Sequence, residues 1–385
     1  MDTVYLDNSA TTRVCRAAAD KAYAMMTECY GNPSSLHTLG FQAEQEISEA
    51  RRKVADMIGA APERIFFTSG GTEANNLAVL GSVEAHPHDG RHIVTTMVEH
   101  SSVRAACDLL EQRGYEVTRL APDAGGMITA EQIVAACRPD TVLVAVMLVN
   151  NETGARFPLE EAVADIRARS ARVHIHCDAV QAAGKLPLRA ERWGFDSLSA
   201  SAHKIHGPKG CGALYLRQGA RVKPRNIGGK QEGGIRCGTE AAPLIAAFGV
   251  AAAALPPYRE QQAHYECLRA RLIEGLADLP GVRLHLPAVG VPYILHLSVP
   301  GYRSETMLHA LAQRGVYVSS GSACSKGAKS PVLEAMDLPE EEIDSALRIS
   351  MSDDNTPQDI DRLIAALREV TDTIVRRPAA ERNGL

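Results

Sequence analysis

The sequence predicts an α/β fold, a mostly parallel central sheet covered by helices on both faces, followed by a smaller α+β C-terminal domain. Three observations lead there. Short apolar, β-branched runs alternate with amphipathic stretches as far as residue 254, which is the β-α-β order of a parallel sheet. Small and polar residues follow one run after another, at the strand ends where such sheets bind ligands. The run AALPPYRE then breaks the alternation, so residues 15–256 read as a large ligand-binding domain and residues 1–14 plus 257–385 as a second, smaller one.

The strands are predicted, in order, at IFFT (65–68), HIVTTM (92–97), TVLVAVM (141–147), VHIHCD (173–178), DSLSAS (196–201) and GALYL (212–216). Each is short and built of β-branched or small residues. Helix-like periodicity separates them at 73–82, 101–113, 129–137 and 160–169. Beyond the break we expect a helix at 258–279, a strand at 293–299, a helix at 304–314, a strand at LRISM (347–351) and a last helix near 357–375. The polar tail RRPAAERNGL is expected to fray.

Composition narrows the function. With 385 residues, 45% hydrophobic and 23% charged, the chain matches a soluble two-domain protein. Only 4% is aromatic and the formal charge is −5, which leaves neither a stacking platform nor a basic field for nucleic acid. Nine cysteines without a C-x-x-C pair disfavour a zinc site or disulfide framework and suit a reducing cytoplasm. The opening MDTVYLDNSATT lacks the basic and apolar regions of a signal peptide, and no stretch is apolar enough to span a membrane.

Five strand ends carry the chemistry: SGGTE, EHSS, NNETG, CDAVQ and SAHK. In SGGTEANN (69–76), Gly71, the Thr72 hydroxyl and open amides at a helix start form a phosphate cradle. Asp178 closes an apolar strand, where a carboxylate needs a positive partner. A protonated pyridine is one. A metal is the other, because alternation places His174, His176 and Asp178 on one face in an H-x-H-x-D pattern. In SAHKIHGPKG (201–210), Lys204 stands on a constrained turn, where a desolvated amine could form a Schiff base. Ser201, His203 and Thr72 offer phosphate donors beside it. Cradle, pyridinium partner and Schiff-base lysine together specify pyridoxal phosphate.

At this point the chain resembles the cysteine desulfurases, among the fold type I pyridoxal phosphate-dependent transferases. The resemblance runs through LDNSATT (6–12), YGNPSSLH (30–37), TSGGTEANN (68–76), EHSS (99–102), VNNETG (149–154), DAVQ (178–181), SAHKIHGPKG (201–210), GTE (238–240), SSGSACS (319–325) and LRIS (347–350). It implies conversion of L-cysteine to L-alanine in a cytoplasmic homodimer, with the sulfur leaving as a persulfide on Cys324. The acceptor would be a protein such as an iron–sulfur scaffold. Within that resemblance Lys204 holds pyridoxal 5'-phosphate and removes the Cα proton, Asp178 keeps the ring nitrogen protonated, and Gln181 bonds the phenolic oxygen. His100 stacks on the ring and shuttles protons, Asn151 and Arg348 bind the substrate carboxylate, and Thr239 reaches the partner's phosphate. No metal is expected.

The chain departs from the family pattern at His206, where other residues are common and to which no role is assigned, and in two longer stretches. GGKQEGGIRCGTE puts Lys230 and Gly233 where glycine and a basic residue are expected, and Cys237, either an inert small residue or a second thiol that receives sulfur, where serine is usual. After Arg348, SMSDDNTPQ replaces a glycine and an arginine. The competing readings are a selenocysteine lyase or related aminotransferase-fold enzyme, a metal-dependent hydrolase built on His174, His176 and Asp178, and a non-catalytic scaffold.

Overall fold

Why β-branched and small residues recur at these intervals is clear in the computed structural model, which describes residues 3–170, 172–321 and 329–375. Its strands are β1 (Val4–Tyr5), β2 (Ile65–Thr68), β3 (His92–Thr96), β4 (Glu116–Leu120), β5 (Thr141–Met147), β6 (His174–Asp178), β7 (Ser197–Ser201), β8 (Gly212–Leu216), β9 (Arg283–His285), β10 (Ile294–Ser298), β11 (Val316–Tyr317) and β12 (Ala346–Ser350). Seven of them form the main sheet, in the order β2-β8-β7-β6-β5-β3-β4. Only β8 runs against its neighbours β2 and β7.

Every residue of β3, β5, β6, β7 and β8 is buried, as a sheet covered on both faces demands. Alternation divides them between two cores. Leu143 and Ala145 of β5 join Val79, Val83, Val103 and Leu110 from helices Gly71–Ala85 and Ser101–Gln112. Val144 and Val146 face the other way, into the main core with Phe248 and Ala247 of helix Ala242–Ala253. Strand β4, half-polar at the sheet edge, was not predicted, because EVTRL carries too little apolar character to read as a strand. Helix Ala242–Ala253 was missed for the opposite reason, being apolar all round and without period.

The C-terminal part forms a three-stranded antiparallel sheet, β12-β10-β9, packed with helices Tyr258–Ala277 and Pro357–Thr373. The N-terminal residues belong with it in space. Strand β1 pairs in parallel with β11, and Asn8 Nδ2 donates to Ser350 O (2.9 Å) and Asn355 Oδ1 (3.1 Å). Asn355 Oδ1 also accepts the Ser352 amide at 2.8 Å. The SMSDDN departure after Arg348 is therefore a set of packing contacts that hold the LDNS segment.

The GGKQEGG departure is organised by Glu232. Its side chain is 2% exposed, takes two bonds from Arg51 (2.7 and 2.8 Å) and accepts the Phe67 amide at 2.8 Å. The clamp holds its backbone in the left-handed region, φ 47. Glu232→Ala would strand the Arg51 guanidinium and leave the amide unpaired, an expected loss of about 3 kcal/mol. A fall in the urea midpoint without change in slope would register it.

Candidate active site

The strand ends of the main sheet and the N-terminal segment converge around one lysine. Lys204 ends the short turn Ala202–Lys204 that follows β7. Its Nζ donates to Ser9 O at 2.5 Å and Ala10 O at 2.8 Å, so the LDNSATT segment supplies the carbonyls that hold the amine. Burial, then the charges of Arg348 and Lys185, push its pKa down to about 7. An amine held near neutrality in this way is both nucleophile and base. Lys209, the other lysine of the motif, is exposed.

Asp178, buried at the end of β6, is fixed on both oxygens. Oδ1 accepts the Val180 amide (3.0 Å) and the Ser199 hydroxyl (3.4 Å), and Oδ2 accepts Asn75 Nδ2 at 2.7 Å. Next to it Gln181 donates from Nε2 to Ser9 O at 3.0 Å. His100 caps helix Ser101–Gln112, its Nδ1 accepting the Ser102 amide (3.2 Å) and lying 2.8 Å from Ser102 Oγ. Burial lowers its pKa, with Asp178 opposing and Lys204 and Arg104 adding to the shift. His203 Nδ1 lies 3.2 Å from Thr11 Oγ1, and burial beside Lys204, Lys209 and Lys185 lowers its pKa to about 4.

Several polar atoms here lack a partner. Ser201 Oγ, Ser9 Oγ and Gln181 Oε1 are buried without a hydrogen bond, an arrangement that costs free energy until a ligand completes it. Helix Gly71–Ala85 starts at Gly70 with no side-chain cap, and Thr72 in its first turn is exposed. Close backbone packing shapes that corner, since a Cβ on Gly212 would stand 2.7 Å from Gly70 Cα. Open amides at a helix start, the free Thr72 and Ser201 hydroxyls and an anchored carboxylate fit a phosphorylated, protonated pyridine ring.

On the far side Arg348 of β12 is 2% exposed. Its NH2 donates to Asp7 Oδ1 (2.7 Å), its NH1 to Asn151 O (2.9 Å), and its Nε is unpartnered. Asn151 thus meets Arg348 through its main chain, and Asp7, to which the sequence reading gave no role, orients the guanidinium. Glu152 was missed as well. Its Oε2 accepts Ser330 Oγ at 2.5 Å and sits where a Cβ on Gly321 would fall, 2.8 Å away. Cys324 lies outside the described residues. Thr239 is exposed in the segment after Arg236.

The H-x-H-x-D alternative meets a different arrangement. His174 Nε2 is 2.8 Å from Ser197 Oγ, His176 Nδ1 is 2.9 Å from the same oxygen, and His176 Nε2 is 3.0 Å from Asn75 Oδ1. These nitrogens are spent on side-chain partners inside the sheet. Among the described residues no group of three or more His, Cys, Asp or Glu is placed to hold a metal ion. His206, at φ 62, donates its amide to Thr12 Oγ1 at 2.7 Å and so holds the N-terminal segment against the lysine turn.

Comparison with known proteins gives the chain its family. The family model "Aminotransferase class-V" matches residues 4–363. The cysteine desulfurase IscS of Methanosarcina thermophila is 39% identical over 371 residues, 95% of this chain and 91% of that one. Cysteine desulfurase 2 of Trichormus variabilis is 39% identical over 378 residues, 97% of this chain and 94% of that one. This chain belongs to the class-V aminotransferase family, among the cysteine desulfurases.

Solved structures of the family superpose closely. A NifS-like protein aligns with a TM-score of 0.91 at 34% identity, over 97% of this chain and 100% of that one. A structure titled "SspA in complex with cysteine" aligns at 0.81 and 32%, over 91% and 99%. In this desulfurase-family chain the buried thiols are poor nucleophiles. Burial pushes Cys107 and Cys211 up to about 12 and Cys137 to about 11, and raises Cys177 well above the usual thiol range.

Proposed function

We propose that the protein is a pyridoxal 5'-phosphate-dependent cysteine desulfurase that takes L-cysteine to L-alanine and collects the sulfur on Cys324. The observation that carries this reading is a buried amine, Lys204, held near neutrality beside an anchored Asp178 and a set of unpartnered hydroxyls. Pyridoxal phosphate, when bound, supplies an aldehyde that condenses with an amine and a protonated ring that withdraws electrons from the bonds at Cα.

This chain's residues do the rest. Gly71, Thr72, Ser201 and His203 hold the phosphate end, while Asp178 meets the ring's N–H and Gln181 its phenolic oxygen. Lys204 would accept the Cα proton at Nζ, and His100 would move protons at Nε2. Arg348, with Asn151, grips the substrate carboxylate and so decides which Cα bond faces Lys204. In the transfer, Cys324 Sγ bonds to the substrate sulfur, the Cβ–S bond breaks with its pair remaining on carbon, and the displaced thiol proton ends on that carbon. The net change is Cys324–SH plus cysteine to Cys324–SSH plus alanine, balanced without an added oxidant.

The exposed Thr239 suits a contact with the phosphate bound in a second subunit, so we take the working unit as a homodimer. The division at residues 15–256 against 1–14 and 257–385 is supported by the pairing of β1 with β11. The persulfide would pass to an acceptor protein, such as an iron–sulfur scaffold, in the cytoplasm. No described helix is long and apolar enough to cross a membrane.

The test is a visible spectrum before and after L-cysteine, with alanine and sulfide measured, and borohydride reduction followed by peptide mapping. The expected tag falls on Lys204. A tag on Lys209, or a colourless protein that the vitamin does not reconstitute, overturns the reading. Arg348→Ala is expected to lower kcat/KM for cysteine about 30- to 100-fold, equivalent to about 2–3 kcal/mol, most of it in KM, because two charge-assisted contacts to the carboxylate are lost while Lys204 remains.

A further inference from the structure

Behind the active site runs a chain of buried hydrogen bonds whose direction is dictated by one carboxylate. Asn75, 1% exposed on helix Gly71–Ala85, touches Asp178 Oδ2 (2.7 Å), Ser102 Oγ (2.8 Å) and His176 Nε2 (3.0 Å). An ionised aspartate only accepts, so the amide nitrogen must face it and the amide oxygen must face His176. His176 therefore donates from Nε2 and leaves Nδ1 bare to accept the Ser197 hydroxyl. Ser197 Oγ in turn accepts from His174 Nε2. Burial keeps both imidazoles neutral, with pKa values near 3 and 4, as this arrangement requires.

The same logic runs forward. One hydrogen of Asn75 Nδ2 goes to Asp178 and the other to one lone pair of Ser102 Oγ, and because the Ser102 amide already donates to His100 Nδ1, the Ser102 hydroxyl meets that nitrogen as a donor too. With the Ser102 amide also donating to it, Nδ1 of His100 receives two hydrogens and can carry none. The proton of a neutral His100 stands on Nε2.

We propose that Asn75 and Ser102 are positioning residues which, by dividing one amide between Asp178 and Ser102, fix the proton of His100 on Nε2 while they orient Asp178. For its bearing on catalysis this rests on the function proposed above; the tautomer itself does not. The two ends of the ring, its nitrogen at Asp178 and its face at His100, are then coupled through a single side chain rather than set independently. Neither residue touches substrate.

The experiment is nitrogen-15 NMR of histidine-labelled holoenzyme, with the His100 signal identified by its loss in His100→Gln. In the wild type Nδ1 is expected to be unprotonated and Nε2 protonated. Ser102→Ala, which leaves only the backbone amide donating to Nδ1, and Asn75→Leu, which frees the hydroxyl to turn away, are each expected to bring in a fraction of the Nδ1–H form, and Ser102→Thr, which keeps the hydroxyl, to restore the wild-type signal. Alanine formation should fall about tenfold in kcat in Ser102→Ala, as is usual when the group orienting an imidazole is lost, with KM for cysteine and cofactor occupancy unchanged. A wild-type His100 protonated on Nδ1 overturns the proposal whatever the variants do, and so does a Ser102→Ala enzyme with the wild-type tautomer and kcat. A protein that shows the expected tautomer but does not turn over cysteine would sink the desulfurase assignment and leave this one standing.

Discussion

Lys204→Ala is expected to lower alanine formation from cysteine by about 10²- to 10⁴-fold, the range for loss of a positioned base, and to abolish the reducible cofactor adduct. The argument is one of environment. Many lysines could reach a bound aldehyde, but Lys204 alone in its motif combines burial with two carbonyl acceptors, Ser9 O and Ala10 O, that hold Nζ in place. Its pKa near 7 means that the neutral amine gains population as pH rises through 7, so the rate at which the cofactor-free protein takes up pyridoxal phosphate should climb over that interval in the wild type. Because burial disfavours the charged form, relieving it moves the rise upward; a shift to more alkaline pH in a variant that opens the site, such as Thr12→Gly, would follow. Lys204→Arg should not rescue, since a guanidinium neither deprotonates at these pH values nor forms the adduct. Wild-type turnover in Lys204→Ala would place the chemistry elsewhere.

The sequence made the sheet legible because its strands are buried on both sides and stand as unbroken apolar runs. Strands β2, β5 and β8 coincide with IFFT, TVLVAVM and GALYL to the residue. Among what escaped were elements whose signal lies in the partner and not in the run, edge strand β4, the two-residue pair β1 and β11, and helix Ala242–Ala253, and also helices Arg16–Thr27 and Thr38–Ile58, which no strand precedes in the β-α-β alternation. The same distinction holds at the site. Lys204 and Asp178 announced themselves as charged residues at the ends of strands β7 and β6, whereas His100 and Arg348 came only with the family resemblance. Asp7, Asn75, Ser102 and Glu152 did not, although all four stand in quoted motifs, because their roles depend on long-range contacts such as Arg348 to Asp7 or Asn75 to Asp178. The H-x-H-x-D pattern pointed toward a metal for the converse reason: alternation places side chains on one face but does not say that Ser197 waits there to bond both imidazoles.

Cys324→Ala is expected to leave cofactor absorbance and cysteine binding intact while persulfide formation vanishes and alanine formation falls about 10³-fold or more, as when a nucleophile is removed. The described residues on either side say why this position suits the task. Ser319 exchanges backbone bonds with Arg348, at 3.2 and 2.7 Å, and Ser330 is bonded to the buried Glu152, itself one residue from Asn151. Both anchors of the segment that carries Cys324 are thus fixed to the elements that would grip the substrate carboxylate. Three peptide units separate Gly321 from Cys324, a tether of at most about 11 Å between their Cα atoms. By contrast Cys107, Cys177 and Cys211 are walled into the core with thiols that resist ionisation. Mass spectrometry of wild-type protein after one turnover should find the added sulfur on the Cys324 peptide, and cyanide should remove it as thiocyanate. If Cys324→Ala released alanine at the wild-type rate, or carried the extra sulfur on Cys237 instead, transfer would run through a different thiol, and the anchoring of this segment on Arg348 and Glu152 would need another explanation.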